Sequence, residues 1–216
     1  MINLSPEKKE LYLKFINENR LEKMVNIINN RTNKLTVIIE NVGKPHNTSA
    51  IMRSAEAFGL STIHVIEGQI MFKRSKLITK GSDKWLNALR YKDTNTAFDK
   101  LHKKGYKIFY GDATPTNPAL HDIKISQDDK IALVFGQELL GISDYVKENA
   151  DGAFRIPMHG FVESFNVSVA AAISIYELSK KFREIGNWEL DEKEQLDLLE
   201  YWMRRHTDYK HYNTSD

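Results

Sequence analysis

Apolar positions in this chain fall into two kinds of run, and the two kinds alternate. Residues 35–42, 62–66, 106–110, 130–135 and 153–156 are short stretches dominated by Ile, Val, Leu and aromatics, the pattern of buried strands, and 85–91 is a further candidate. Between them, apolar residues recur every three or four positions. The run 46–58 closes at Gly59, 95–104 closes at Gly105, 142–149 is short and 167–185 is long. Strands alternating with helices predict an α/β fold, a mostly parallel sheet flanked by helices. The two ends differ. Leu11, Phe15, Leu21, Met24, Ile27 and Ile28 sit near helical spacing behind Ser5-Pro6-Glu7, and 191–206 repeats that character with Leu196, Leu199 and Met203. The expected organisation is an N-terminal helical extension (1–34), an α/β domain (35–185) and a C-terminal helical extension (186–216) whose last ten residues fray.

Composition narrows the chemistry. The 216 residues contain no cysteine, which removes disulfides, thiolate metal sites and a Cys nucleophile. No apolar run approaches the roughly 18 residues of a membrane span, and the N-terminus lacks a signal-peptide core, so a cytoplasmic protein with no membrane partner is expected. The seven histidines are scattered without ligand spacing, and no metal is expected. Neither a GxSxG elbow nor a GxGxxG fingerprint is present. Net charge is only +2, yet residues 71–107 carry eleven Lys/Arg (Lys73 to Lys107) against Asp83, Asp93 and Asp99. A basic face on a nearly neutral chain suits a polyanion. An ordinary solvated surface has the same composition.

Three polar turns interrupt the apolar pattern where an α/β protein places its ligand. The first is Lys44-Pro-His-Asn-Thr-Ser-Ala-Ile-Met-Arg53. On a helix starting near Asn47, Ile51, Ala55 and Phe58 share the packed side, and Arg53 lies roughly opposite beside small residues. Its guanidinium fork suits a phosphate, and Asn47 suits the N-cap. An ion pair of Arg53 with Glu56 is the plain alternative. The second turn, Phe135-Gly-Gln-Glu-Leu-Leu-Gly141, has P-loop glycine spacing, but Ile142 stands where a Walker lysine belongs. Triphosphate binding is thereby disfavoured, while backbone can still approach a flat ligand such as adenine. Glu138 is its one carboxylate. The third, Ile156-Pro-Met-His-Gly160 with Glu163-Ser-Phe-Asn-Val-Ser168, leads into a helix of small residues, with Ser164 and Asn166 as cap candidates.

In this order the three turns resemble the motifs of the SPOUT RNA 2′-O-ribose methyltransferases, TrmH branch, over about residues 35–178. The first motif looks most like that of the enzymes acting on the D-loop guanosine 18 of tRNA. The resemblance implies a SPOUT fold with a C-terminal trefoil knot and S-adenosylmethionine as methyl donor. It implies a pocket lined by Gly111, Gly136, Ile156 and Phe165, the family usually having Leu at the last position. It also implies a homodimer in which Arg53 of one subunit faces the methyl donor of the other. The family gives the motif-one arginine, here Arg53, the role of base toward the 2′-hydroxyl; a clamp on the substrate phosphate fits the residues equally. Asn47, Glu138, Ser164 and Asn166 are implied to orient Arg53, the ribose or the loops, and the terminal helices resemble tRNA-gripping arms. Another RNA target (23S rRNA or the anticodon loop) is the competing reading, and a non-catalytic RNA-binding protein a more distant one.

Overall fold

The computed structural model describes residues 2, 4–42, 44–67, 81, 84–137 and 140–207. Basic positions Lys73, Arg74, Lys76 and Lys80, the carboxylate Glu138 and the C-terminal 208–216 lie outside the described residues. The chain divides into two compact units, Asn33–Asn187 and the pair Met1–Thr32 with Trp188–Asp216. The two terminal helical segments therefore share one unit.

The larger unit holds β1 (Leu35–Glu40), α3 (Pro45–Ala57), β2 (Thr62–Ile66), β3 (Asn87–Tyr91), α4 (Thr94–Lys103), β4 (Tyr106–Gly111), β5 (Lys130–Phe135), α5 (Asp144–Asn149), β6 (Gly152–Phe154) and α6 (Val167–Ile185). The six strands among the described residues are all parallel, in the order β3-β2-β1-β5-β4-β6. Every residue of the central β1 is buried, which is why Leu-Thr-Val-Ile-Ile runs apolar without alternation. One sheet face, with Ile38, Ile66, Tyr91, Ile108 and Val134, packs under Phe98 and Leu101 of α4 and Val146 of α5. Val37 and Ile39 point to the other face, where α3 and α6 contact β1 and each other.

Local chemistry moves several boundaries. β1 stops at Glu40 because Asn41 turns to φ 51°, a conformation Asn tolerates. The N-terminal pattern is two helices, α1 (Pro6–Leu13) and α2 (Glu18–Ile28), since Asn17 caps the second by accepting from the Arg20 N–H at 2.9 Å. α3 begins at Pro45, so Lys44 and not Asn47 holds its N-cap position. Proline at the first helical position sets φ and needs no donor there.

β6 is short, and its exit is held from both sides. Asp112 N–H donates to Phe154 O at 2.9 Å, Arg155 N–H donates to Pro118 O at 2.9 Å, and Leu120 N–H donates to Arg155 O at 2.8 Å. The chain leaving β6 thus runs between the two limbs of the loop that follows β4.

In the smaller unit, α2 packs on α7 (Glu192–His206). Trp188 and Trp202 are buried, the Trp188 indole N–H donates to Asn30 O at 3.2 Å, and the buried Arg31 guanidinium lies 5.5 Å from the Trp202 ring centre. A capping box between Asp191 and Glu194 starts α7.

Candidate cofactor cavity and its loops

Parallel strands bring their carboxyl ends to one edge, and there a cavity of about 640 Å³ opens. Gly111 at the end of β4, Phe135 and Gly136 at the end of β5, and Phe154 at the end of β6 form one wall. Ile156, Ser164, Phe165 and Asn166 form another. The four residues expected near a cofactor therefore line a single space, together with Ser164 and Asn166.

Gly136 is required by close backbone approach. A Cβ there would sit 2.2 Å from the Gly141 carbonyl oxygen and 2.8 Å from Ile142 Cα. The turn is pinned by Gln137 N–H to Gly141 O at 2.7 Å and Gly141 N–H to Gln137 O at 2.9 Å, with Gly141 at φ 67°. At Gly111 an added Cβ would meet the Phe154 ring at 3.5 Å and the Phe135 ring at 3.7 Å, ordinary van der Waals distances. The second motif is thus a tight main-chain loop beside aromatic and aliphatic walls.

The loop is anchored by a residue that motif reading passed over. Glu40, 2% exposed at the end of β1, accepts from Ser143 N–H at 2.9 Å, Ser143 O–H at 2.8 Å and Thr94 O–H at 2.7 Å. A buried carboxylate is costly unless bonded this fully. The signal was a single acid closing an otherwise apolar strand. Ser143 is also the N-cap of α5.

The first and third motifs meet through two amides. Asn166 caps α6, accepting from Ser168 N–H at 2.9 Å, and its side-chain amide donates to Asn47 Oδ1 at 3.2 Å. Asn47 is buried in the first turn of α3, where it supports Asn166 and does not cap its own helix. Asn166, not Ser164, is the cap of α6. Arg53 lies elsewhere. It is exposed on α3, does not line the cavity and has no hydrogen-bond or ion-pair partner among the described residues, so the pair with Glu56 is not formed. Motif reading also missed Asp112, Lys147 and Met158, which line the cavity.

The volume lies within the roughly 300–1,000 Å³ of small-ligand sites. Aromatic and aliphatic walls with exposed main-chain groups suit a flat heterocycle joined to a sugar better than a polyphosphate. Lys147, the lining cation, pairs with Asp144 at 3.1 Å. Among the described residues no group of three or more His, Asp or Glu could hold a metal ion, and no helix is long and apolar enough to cross a membrane.

Fold and site together define an α/β protein with a small-ligand-sized cavity at the carboxyl ends of a parallel sheet. The chain belongs to the SpoU rRNA Methylase family, whose pattern it matches over residues 34–176. It is 36% identical over 193 residues to the tRNA (guanosine(18)-2′-O)-methyltransferase of Borreliella burgdorferi, covering 88% of each chain. Among solved structures it resembles the TrmH/SpoU tRNA modifying enzyme of Aquifex aeolicus, with a TM-score of 0.76, 30% identity, and 86% of this chain and 95% of that one covered. The fold is also that of the SpoU methyltransferase AviRb from Streptomyces viridochromogenes, solved with AdoMet, at TM-score 0.61 and 24% identity over 74% of this chain and 62% of that one.

Proposed function

We propose that this chain is an S-adenosylmethionine-dependent methyltransferase acting on the ribose 2′-oxygen of guanosine 18 in tRNA. The observation that carries the reading is the joining of three distant motifs, through Gly136, Asn166 and Asn47, around one cavity in a chain of this family. The name of the 36%-identical relative supports the substrate.

Gly111, Gly136, Ile156 and Phe165 would hold the adenosine part of the methyl donor. When bound, that group supplies an electrophilic methyl on a sulfonium. A 2′-hydroxyl must lose its proton as its oxygen attacks, and the protein's task is to fix that oxygen and offset the charge around it. We assign Arg53 to a substrate phosphate, because a guanidinium donates only, while the exposed, unpartnered Arg53 can take two phosphate oxygens. Asn47 and Asn166 hold the third-motif loop to α3, Ser164 lines the cavity, and an orienting role for Glu138 rests on the resemblance alone.

A homodimer is part of the reading. Val169 and Tyr176 stand exposed on α6, with Phe161, Val162 and Phe165 exposed just ahead of it, and Phe58 packs at 5.8 Å on the Tyr176 ring. An exposed apolar strip of this kind suits a second copy that brings its own arginine to the cavity. The knot implied by the resemblance fits the passage of the β6 exit through the preceding loop. The terminal helices would serve as tRNA arms, and the setting would be cytoplasmic.

The test is transfer of labelled methyl from S-adenosylmethionine to unmodified tRNA transcripts, with and without guanosine 18. Label on that ribose, absent when the guanosine is replaced, is the expected outcome. Label on another nucleotide overturns the target, and no label on any tRNA overturns the activity.

A further inference from the structure

A second cavity, of about 210 Å³, opens away from the first, under α4 and beside the β2–β3 pair. Among the described residues His64, Leu89, Arg90, Tyr91, Lys100, Leu101 and Lys104 line it, so three cations and no acid of these face one small space. We propose that this cavity binds a phosphate group.

His64 is 3% exposed on β2, and its Nδ1 lies 2.9 Å from the Tyr91 hydroxyl, the two rings stacked at 5.6 Å. If the tyrosine donates to Nδ1, the imidazole keeps an unused Nε2–H; if Nδ1–H donates, the phenol keeps its O–H. Either tautomer leaves the pair one spare donor at the cavity. Burial, with Lys104 nearby, pushes the imidazole pKa down to about 4, so His64 serves as a neutral donor. Lys100 sits 5.2 Å from the Tyr91 ring centre, and Arg90 meets Glu67 at the rim at 3.4 Å. A phosphate would relieve the repulsion between Lys100 and Lys104 and take the spare donor, which a neutral or cationic ligand would not do.

Two sources carry this group, the RNA backbone or a free phosphate. The first rests on the RNA-directed function proposed above; phosphate chemistry itself does not. The experiment follows the His64 imidazole and Tyr91 ring signals by NMR in phosphate-free buffer, during titration with inorganic phosphate and with a tRNA D-arm hairpin. The same titrations use Lys100→Gln/Lys104→Gln, a double change on exposed positions of α4. Saturable movement with either probe, lost in the double variant, supports the site, and the probe that moves the signals names the source. With the hairpin as source, affinity should fall about tenfold and the log–log salt slope by about 1–2. Signals that stay fixed with both probes, or move equally in the double variant, overturn the proposal. Methyl transfer by the unchanged protein separates the two readings: normal transfer with fixed signals sinks the phosphate site alone.

Discussion

The large cavity is made by main chain and the small one by side chains. At the ends of β4, β5 and β6, the Gly136 turn and apolar or aromatic side chains shape the space. Under α4, a His–Tyr pair and three cations do so on regular strand and helix. The first selects by shape, through contacts that depend on backbone position, so it tolerates no movement. The second selects by charge and accepts small shifts. Arg53 belongs to neither cavity, so binding the donor and aligning the acceptor are separable tasks in one subunit.

The largest effect is expected where that separation is sharpest. Arg53→Ala should lower turnover roughly a hundredfold or more, the range seen on deleting a group that stabilises developing charge. S-adenosylhomocysteine affinity should hardly change, as calorimetry would read. An Arg53→Lys protein that keeps substantial turnover favours the phosphate clamp over a base. Wild-type turnover in the alanine variant would remove Arg53 from the chemistry altogether.

Gly136→Ala should do the reverse. A methyl 2.2 Å from a carbonyl oxygen cannot be housed unless the loop moves, and overpacking of this kind costs about 3 kcal/mol, or about a hundredfold in affinity for S-adenosylhomocysteine. Gly111→Ala, whose methyl would meet the Phe154 and Phe135 rings at ordinary distances of 3.5 and 3.7 Å, is the milder comparison and should stay within about threefold. Equal losses in both variants would show that loop rigidity is not what shapes the cavity.

The same contrast explains what the chain disclosed before it was folded. Glycine and proline punctuate buried strands for backbone reasons, so Gly111, Gly136 and the turn before α6 could be marked along the sequence, and they now line one space. The strand order and the meeting of Asn47 with Asn166 could not be marked, because the central pairing joins Leu35 to Ile131 and the amide contact joins residues 119 positions apart. Asn47 looked like a cap because Asn is a good one; Pro45 started the helix two residues earlier. His64 gave no signal at all. A lone histidine in an apolar strand gains meaning only from Tyr91 and Lys104, brought to it by parallel pairing and by α4.

His64 also makes the small cavity sensitive to acid. Its folded pKa, held to about 4 chiefly by burial, lies below the ordinary 6.5, so between these values the unfolded chain binds a proton that the folded chain refuses. The contribution is complete above pH 6.5 and is lost as pH falls toward 4, about 3 kcal/mol in all. Denaturant unfolding from pH 7 to 4 should show that loss in the wild type and not in His64→Gln. Superimposed curves would mean that His64 is not held neutral.

The smallest effect concerns Glu40, which bonds an element beside each cavity. Its carboxylate bonds Thr94, at the start of the helix over the small cavity, and Ser143, which closes the loop of the large one. In Glu40→Gln the amide oxygen can still accept from Ser143 N–H, and the amide NH₂ can donate to the two hydroxyls, which rotate to receive it. That change should cost about 1 kcal/mol or less. In Glu40→Ala the Ser143 N–H is left buried without an acceptor, a loss of about 1–3 kcal/mol that falls on the cofactor loop. S-adenosylhomocysteine should then bind about tenfold more weakly, while the phosphate response of His64 persists, because β2, β3 and most of α4 keep their contacts. If both cavities failed together in Glu40→Ala, with the glutamine variant intact, the two sites would share one anchor and the distinction between a backbone-built and a charge-built site would hold only for their walls.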